Sequence, residues 1–392
     1  MTTEPTTTSP GGDRLADGGT RVRYGLMDLA AEMGDVIALG RGDPDLPTPR
    51  HIVEAAKAAI DRGDADRVSD PAGTPELRAA VADKLRRENG VEVGGPDGVV
   101  VTTGGQEGLF LAVQALLEPG DEILVPDPRY TSYDIAIKMA GASMVSVPTR
   151  EADGFDLDPG EVERRITPRT RALLLISPNN PTAGTVTPGN LRALAEVAQR
   201  HDLYVISDEI YEKLVYDPHE HLSIGSLPGM AERTVTVNGF SKTFCMTGWR
   251  LGYLGGPHAL MAKARRQKAI VSTCAPVVSQ AAGVAALTGP MDVIEEYRRI
   301  YTRRRAIVLD TLDRLGIAYG EPRGGFYVFL NAASTGIPAP ELSRKLLEEA
   351  RVLIFPGTGF GEAWTDYMRL AWLVPEPELI EAMRRIEAVL GG

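Results

Sequence analysis

Apolar residues in this chain gather into short unbroken runs, separated by stretches with helical spacing. The runs are Val99-Val-Val-Thr-Thr103, Glu122-Ile-Leu-Val125, Met144-Val-Ser-Val147, Ala172-Leu-Leu-Leu-Ile176, Tyr204-Val-Ile-Ser207, Thr234-Val-Thr-Val237 and Leu251-Gly-Tyr-Leu254. Each predicts a strand. Their hydrophobicity is continuous rather than alternating, which indicates burial on both faces, and segments such as Leu191-Arg-Ala-Leu-Ala-Glu-Val-Ala198 carry a helical period between them. The pattern predicts an α/β fold: a three-layer α/β/α sandwich around a mainly parallel sheet of seven strands.

After about residue 288 the pattern changes. Residues 293–309 form one long amphipathic helix, followed by a strand-like Gly325-Phe-Tyr-Val-Phe-Leu330, helices near 341–351 and 376–390, and a strand near Met368-Arg-Leu-Ala-Trp372. A smaller α+β domain is therefore expected over residues 289–392, beside a large domain over 49–288. Residues 20–48, with a strand-like Val36-Ile-Ala-Leu39, are expected to join the small domain, and residues 1–19, polar and rich in Thr, Pro and Gly, to form a mobile tail.

Composition narrows the classes of function. The chain has 392 residues and a net charge of -11, which argues against a general nucleic-acid or anionic-membrane surface. Small molecules and further copies of the chain are the expected partners. Two cysteines and five histidines, scattered, give neither a disulfide framework nor a metal spacing. A reducing cytoplasm is the expected setting, since the N-terminus carries no apolar signal core and no apolar run reaches the roughly 20 residues that span a bilayer.

In an open parallel sheet ligands gather beyond the carboxyl ends of the strands. The residues there are Gly104-Gly-Gln106, Pro126-Asp-Pro-Arg-Tyr130, Ser177-Pro-Asn-Asn-Pro181, Asp208-Glu-Ile-Tyr211 and Gly239-Phe-Ser-Lys242. The glycine turn suits a phosphate at a helix N-terminus, although a tight turn without a ligand reads equally well. Asp208 would need a cationic partner if buried, and a protonated heterocyclic nitrogen would serve; alone, it reads also as the cap of a solvated helix start. Lys242, at a buried strand end, can have its amine pKa lowered and become a nucleophile toward a carbonyl, with Arg250 nearby for phosphate oxygens. A surface lysine is the plain reading of most lysines. Here a phosphate turn, an acid, a lysine and an arginine fall on successive strand ends of one sheet.

These residues, with Gly42-Asp-Pro-Asp-Leu-Pro-Thr-Pro49, Ala72-Gly-Thr-Pro-Glu-Leu-Arg78, Ser177-Pro-Asn-Asn-Pro-Thr182, Gly248-Trp-Arg250, Phe355-Pro-Gly-Thr-Gly-Phe-Gly361 and Arg369-Leu370, resemble the class I and II aminotransferases of fold type I. The resemblance runs from about Val22 to Leu390 and implies pyridoxal 5′-phosphate as cofactor. It implies Lys242 as the lysine of the internal aldimine and, once displaced, the base that moves a proton between substrate Cα and the cofactor. Asp208 would keep the pyridine nitrogen protonated, and Asn180 and Tyr211 would bond the phenolic oxygen. Tyr130 would stack on the ring; Gly104, Gly105, Gln106, Ser241 and Arg250 would hold the phosphate. Arg369, with Gly42 and Asn180, would bind the substrate α-carboxylate through its planar fork. The resemblance further implies a cis Asn180-Pro181 bond, a homodimer, and ping-pong transfer from an L-amino acid to a 2-oxo acid. Arg21, Arg23, Tyr24 and Arg67 are candidates for reading an acidic or polar substrate side chain.

Three positions depart from the family pattern. Ala183 is inserted before Gly184, so the loop after Asn180 is expected to differ in shape; Val68 replaces a common phosphate-binding tyrosine, leaving Arg67 or Ser69 as substitutes; and Cys245 replaces a small residue, without expected consequence. The same cofactor chemistry also serves elimination, cyclisation or oxidation of amino acids, so these remain an alternative outcome. A non-catalytic ligand-sensing domain is a further alternative, which retention of Lys242 and the absence of a helix-turn-helix pattern disfavour.

Overall fold

The seven apolar runs pair into one sheet; six are buried along most of their length, and the edge strand Ser143–Pro148 stays partly exposed. A computed structural model describes residues 18–391 of the chain. The strand order across the sheet is Val99–Thr102, Gly252–Gly255, Thr234–Gly239, Tyr204–Asp208, Thr170–Ile176, Glu122–Asp127 and Ser143–Pro148. Five neighbours run parallel, from Thr234–Gly239 to the Ser143–Pro148 edge. Gly252–Gly255 runs antiparallel to both strands beside it. The fold is the α/β sandwich expected, with a mainly parallel seven-stranded sheet.

Helices cover both faces. One layer packs Leu109, Ala112, Ile137 and Met261 against Val100, Ile123, Val125 and Leu254; the other packs Leu191, Leu194 and Ala198 against Leu124, Leu173 and Val205. Local chemistry sets where helices begin. Thr74 accepts a hydrogen bond from the Leu77 amide ahead of Pro75–Glu88, and Thr187 from the Asn190 amide ahead of Pro188–Arg200, each with proline in the first turn.

The 23-residue helix Asp292–Arg314 leads to a second, smaller α+β layer. There Tyr327–Asn331, Tyr367–Ala371 and Phe355–Pro356 make an antiparallel sheet, with Tyr367–Ala371 in the middle. Glu376–Leu390 packs on the long helix, and Ala339–Lys345 continues as a widened turn over Leu346–Ala350. Ile37–Ala38 pairs in parallel with Val352–Leu353, which ties the early segment to this layer.

One expectation is corrected here. The helix Gly18–Met33 begins inside the tail expected over residues 1–19, and its Leu26 is buried against Phe329, Leu353 and Phe355. That burial organises the segment despite its paired glycines; residues 1–17 of the expected tail lie outside the described residues. Among the described residues no single helix is long and apolar enough to cross a membrane.

Candidate active site

The parallel strands all point their carboxyl ends toward one cavity of about 430 Å³, closed on its far side by the smaller layer and by the helix Gly18–Met33. Lys242, Asp208, Tyr211, Asn180, Tyr130, Ser241, Arg250, Gly105, Gln106, Gly42 and Arg369 all line it. Gly104 does not. It sits behind the turn with φ +81, where a Cβ would lie 2.6 Å from Arg250 Nη2. Glycine is therefore needed at that position both for its backbone conformation and for the close approach of the arginine.

The cavity has distinct ends. At one, the helix Gly105–Leu116 presents its N-terminus, whose first N–H groups have no partner within the helix. Arg250 stands beside it, with φ +53 and Nη1 donating to Thr247 O at 2.9 Å, and Ser241 is adjacent to Lys242. A helix N-terminus with an arginine beside it can accept an anion.

In the middle, Asp208 ends its strand in register with Ile176 and Val237. Its Oδ1 accepts from the Ile210 amide at 3.1 Å and its Oδ2 from the Tyr133 hydroxyl at 2.7 Å. Burial raises its pKa, against the pull of those two bonds. Residues 210–213 form a turn rather than a helix, so Asp208 does not cap a helix. Lys242 Nζ donates to Gly42 O at 2.7 Å. Burial lowers its pKa to about 8, with Arg369 and Arg250 acting in the same direction and Asp43 opposing them. Tyr211 lies 3.3 Å from Tyr327, hydroxyl to hydroxyl, and burial holds its pKa well above the usual phenol range.

At the other end Arg369, paired in register with Phe329, projects a buried guanidinium. Nη1 donates to Asn180 Oδ1 at 2.9 Å and Nη2 to Gly40 O at 2.5 Å. The guanidinium is sandwiched between the rings of Tyr327 and Phe360, 4.4 and 4.6 Å from their centroids. A Cβ on Gly42 would collide with the Tyr327 hydroxyl, so the backbone and that side chain approach this closely only across a glycine.

Of the candidates for the substrate side chain, Arg23 and Tyr24 line the cavity, together with Met27 and Arg41. Arg67 is exposed and does not. The Arg21 side chain lies outside the described residues. Val68 is 71% exposed, and Ser69 donates to Asp70 O rather than reaching the cavity. The Asn180-Pro181 bond is cis. Ala183 is buried at φ +57, and its carbonyl accepts from the Arg323 and Gly324 amides at 2.9 and 3.0 Å, which gives the loop after Asn180 its own shape.

Several functional neighbours escape the sequence reading. Tyr133 lies three positions after Tyr130, on the helix Ser132–Met139, and its spacing was the available signal. Tyr327 lies on a strand whose alternate residue, Phe329, faces the same way. Beneath the turn of Asp208 and Tyr211 is a buried polar network: Glu212 pairs with Lys84, Lys84 donates to Asn89 at 2.7 Å, and Ser207, Ser223 and His221 surround Glu209 at 2.8, 2.6 and 3.1 Å. Glu209, Glu212 and His221 stand close enough together to hold a metal ion, but Lys84 and the amide of Asn89 already occupy the carboxylates.

Comparison with known proteins agrees with this geometry over nearly the whole chain. Residues 34–386 match the family model for aminotransferase class I and II. The aspartate aminotransferase of Pyrococcus abyssi is 41% identical over 367 residues, covering 93% of this chain and 94% of that protein. The aromatic-amino-acid aminotransferase 2 of Thermococcus litoralis is also 41% identical, with the same shares covered. Among solved structures, the aspartate aminotransferase of Thermus thermophilus with maleate superposes with a TM-score of 0.90 at 40% identity, covering 96% of this chain and 97% of that one. A cavity built at the strand ends of this sandwich, and sequence kinship along the length that builds it, make this chain an enzyme of the class I and II aminotransferase family.

Proposed function

We propose that the enzyme moves an amino group from an L-amino acid to a 2-oxo acid by a ping-pong route, using pyridoxal 5′-phosphate held at Lys242. The observation that carries this reading is one cavity in which the Lys242 amine, the Asp208 carboxylate and the Arg369 guanidinium face common space. The residues present fit the cofactor. A helix N-terminus with Arg250 suits its phosphate, and the half-buried Asp208, whose pKa desolvation raises, calls for a cationic N–H such as a pyridinium. When bound, the cofactor supplies an aldehyde for the lysine and a ring that withdraws electrons from substrate Cα.

The residues of this chain supply the remainder. Lys242, with a pKa near 8, provides a neutral amine close to neutral pH, first as nucleophile and then as the base that takes the Cα proton. Asp208 holds a proton on the ring nitrogen by charge, and Tyr133 orients its carboxylate. Tyr211 and Asn180 would hydrogen-bond the phenolic oxygen, and Tyr130 would stack on the ring face. Gly105, Gln106, Ser241 and Arg250 bind the phosphate, while Gly104 shapes the turn. Arg369 binds the α-carboxylate beside Asn180 and Gly42, since its fork matches two carboxylate oxygens.

Acidic amino acids are the substrates this site suits best. Arg23 lines the same cavity as Arg369, which offers a further guanidinium for a dicarboxylate, and relatives carry the name aspartate aminotransferase. Aromatic donors are a second reading, supported by Tyr24, Met27 and Phe355 in the lining. A homodimer working in a reducing cytoplasm completes the proposal. Val68, Ile270 and Val271 are exposed apolar residues, Gln280–Ser69 and Arg265–Asp70 contacts join the segments that carry them, and both cysteines are free.

Half-reaction spectroscopy tests the reading. Aspartate added to the loaded protein should replace the absorbance of the lysine-bound aldehyde with that of pyridoxamine 5′-phosphate, and a 2-oxo acid should reverse it. Release of product with the aldehyde absorbance retained would point to elimination or another outcome instead.

A further inference from the structure

Behind the glycine turn lies a pair of opposite charges that the chemistry above leaves unused. Lys268, from the helix His258–Val271, is fully buried. Its Nζ donates to Glu107 Oε2 at 2.7 Å, to Ser272 Oγ at 2.9 Å and to Thr103 Oγ1 at 3.4 Å, which occupies all three ammonium protons. Glu107 is the third residue of the helix Gly105–Leu116. Its Oε2 also accepts the Thr103 backbone N–H at 2.5 Å, and its Oε1 accepts the Ser272 hydroxyl at 2.5 Å. The carboxylate thus clamps the residue just before Gly104 and fixes the geometry of the turn.

That clamp has an electrostatic cost. The first turn of a helix favours negative charge, but this first turn is also the one proposed to receive a phosphate, and a carboxylate set into the same turn repels it. A fully buried ammonium paired with a largely buried carboxylate is moreover expensive to desolvate, and an apolar pair would fill the space without that penalty. Packing alone does not call for these charges; neutralisation of Glu107 gives them a use.

We propose that Lys268 is a positioning residue for the phosphate turn: it cancels the charge of Glu107, so that Glu107 can clamp Thr103 without repelling the cofactor's phosphate. The inference rests on the reading that pyridoxal 5′-phosphate binds with its phosphate at Gly105 and Gln106. Its test compares pyridoxal 5′-phosphate with phosphate-free pyridoxal, each titrated into the protein and followed by absorbance of the lysine-bound aldehyde. Lys268→Met should weaken the phosphorylated ligand by about tenfold and leave pyridoxal little changed. Glu107→Gln, which removes the repelling charge and keeps the lysine, should leave the preference for the phosphorylated ligand undiminished. Equal weakening of both ligands in both variants, or unchanged binding in Lys268→Met, would overturn the inference. If Lys268→Met does not fold, Glu107→Gln decides by itself, because a packing role requires it to weaken both ligands alike. Wild-type protein that bound neither aldehyde would overturn the cofactor reading and this inference with it.

Discussion

The Tyr133 hydroxyl donates a 2.7 Å hydrogen bond to Oδ2 of Asp208, a carboxylate whose pKa burial raises. Removing the hydroxyl leaves that oxygen without its side-chain donor and raises the Asp208 pKa further. A hydrogen bond to a charged group contributes about 1.5–3 kcal/mol, so Tyr133→Phe should lower kcat by roughly tenfold or more. The acidic limb of the kcat pH profile should also move to higher pH. An unchanged profile would mean that Tyr133 only packs.

Arg369 offers a different test, because its guanidinium is fixed on two edges by Asn180 and Gly40 and on both faces by Tyr327 and Phe360. A lysine keeps the charge but loses the fork. Arg369→Lys should cost about 2–5 kcal/mol in kcat/KM, a factor of at least roughly thirty, expressed mainly in KM for the amino acid. Cofactor binding should survive, which a titration with pyridoxal 5′-phosphate checks.

Arg23 separates the two substrate readings. It shares the cavity with Arg369 and lies on the helix Gly18–Met33. Arg23→Ala should reduce kcat/KM for aspartate by about tenfold while leaving phenylalanine nearly unaffected. Equal losses for both donors would remove Arg23 from side-chain recognition.

The network under the Asp208 turn carries a stability prediction. Glu212, paired with buried Lys84, has its carboxyl held down to about 2, although burial alone would raise it. A carboxylate with a lowered folded pKa contributes stability that is present above its ordinary value of 4.5 and lost as pH falls toward 2. Lys84→Met should cost about 3–5 kcal/mol in urea unfolding at neutral pH by leaving Glu212 buried and unpaired. Glu212→Gln should flatten the stability curve over the acid window.

The sheet was legible in the sequence because a strand buried on both faces must be apolar throughout, and the candidates at its strand ends follow from that position. Lys242, Asp208 and Arg250 were readable from the same logic. The resemblance was needed to attach roles to Arg369, Asn180 and Tyr130. What stayed hidden depends on separations that no local pattern encodes: Lys84 meets Glu212 across 128 positions, and Lys268 meets Glu107 across 161. Tyr133 and Tyr327 look like core residues until the chain folds and their hydroxyls turn to Asp208 and Tyr211. Gly104 reads in the sequence as a phosphate contact, whereas its positive φ and the arginine packed on it make it the residue that lets the turn form.

Every role proposed for this cavity depends on Lys242 carrying the cofactor. Protein loaded with pyridoxal 5′-phosphate, reduced with borohydride and cleaved into peptides, should carry the pyridoxyl mass on the peptide containing Ser241-Lys242-Thr243, and Lys242→Ala should carry none and lose turnover. Labelling of a different lysine, or full turnover by Lys242→Ala, would contradict the account.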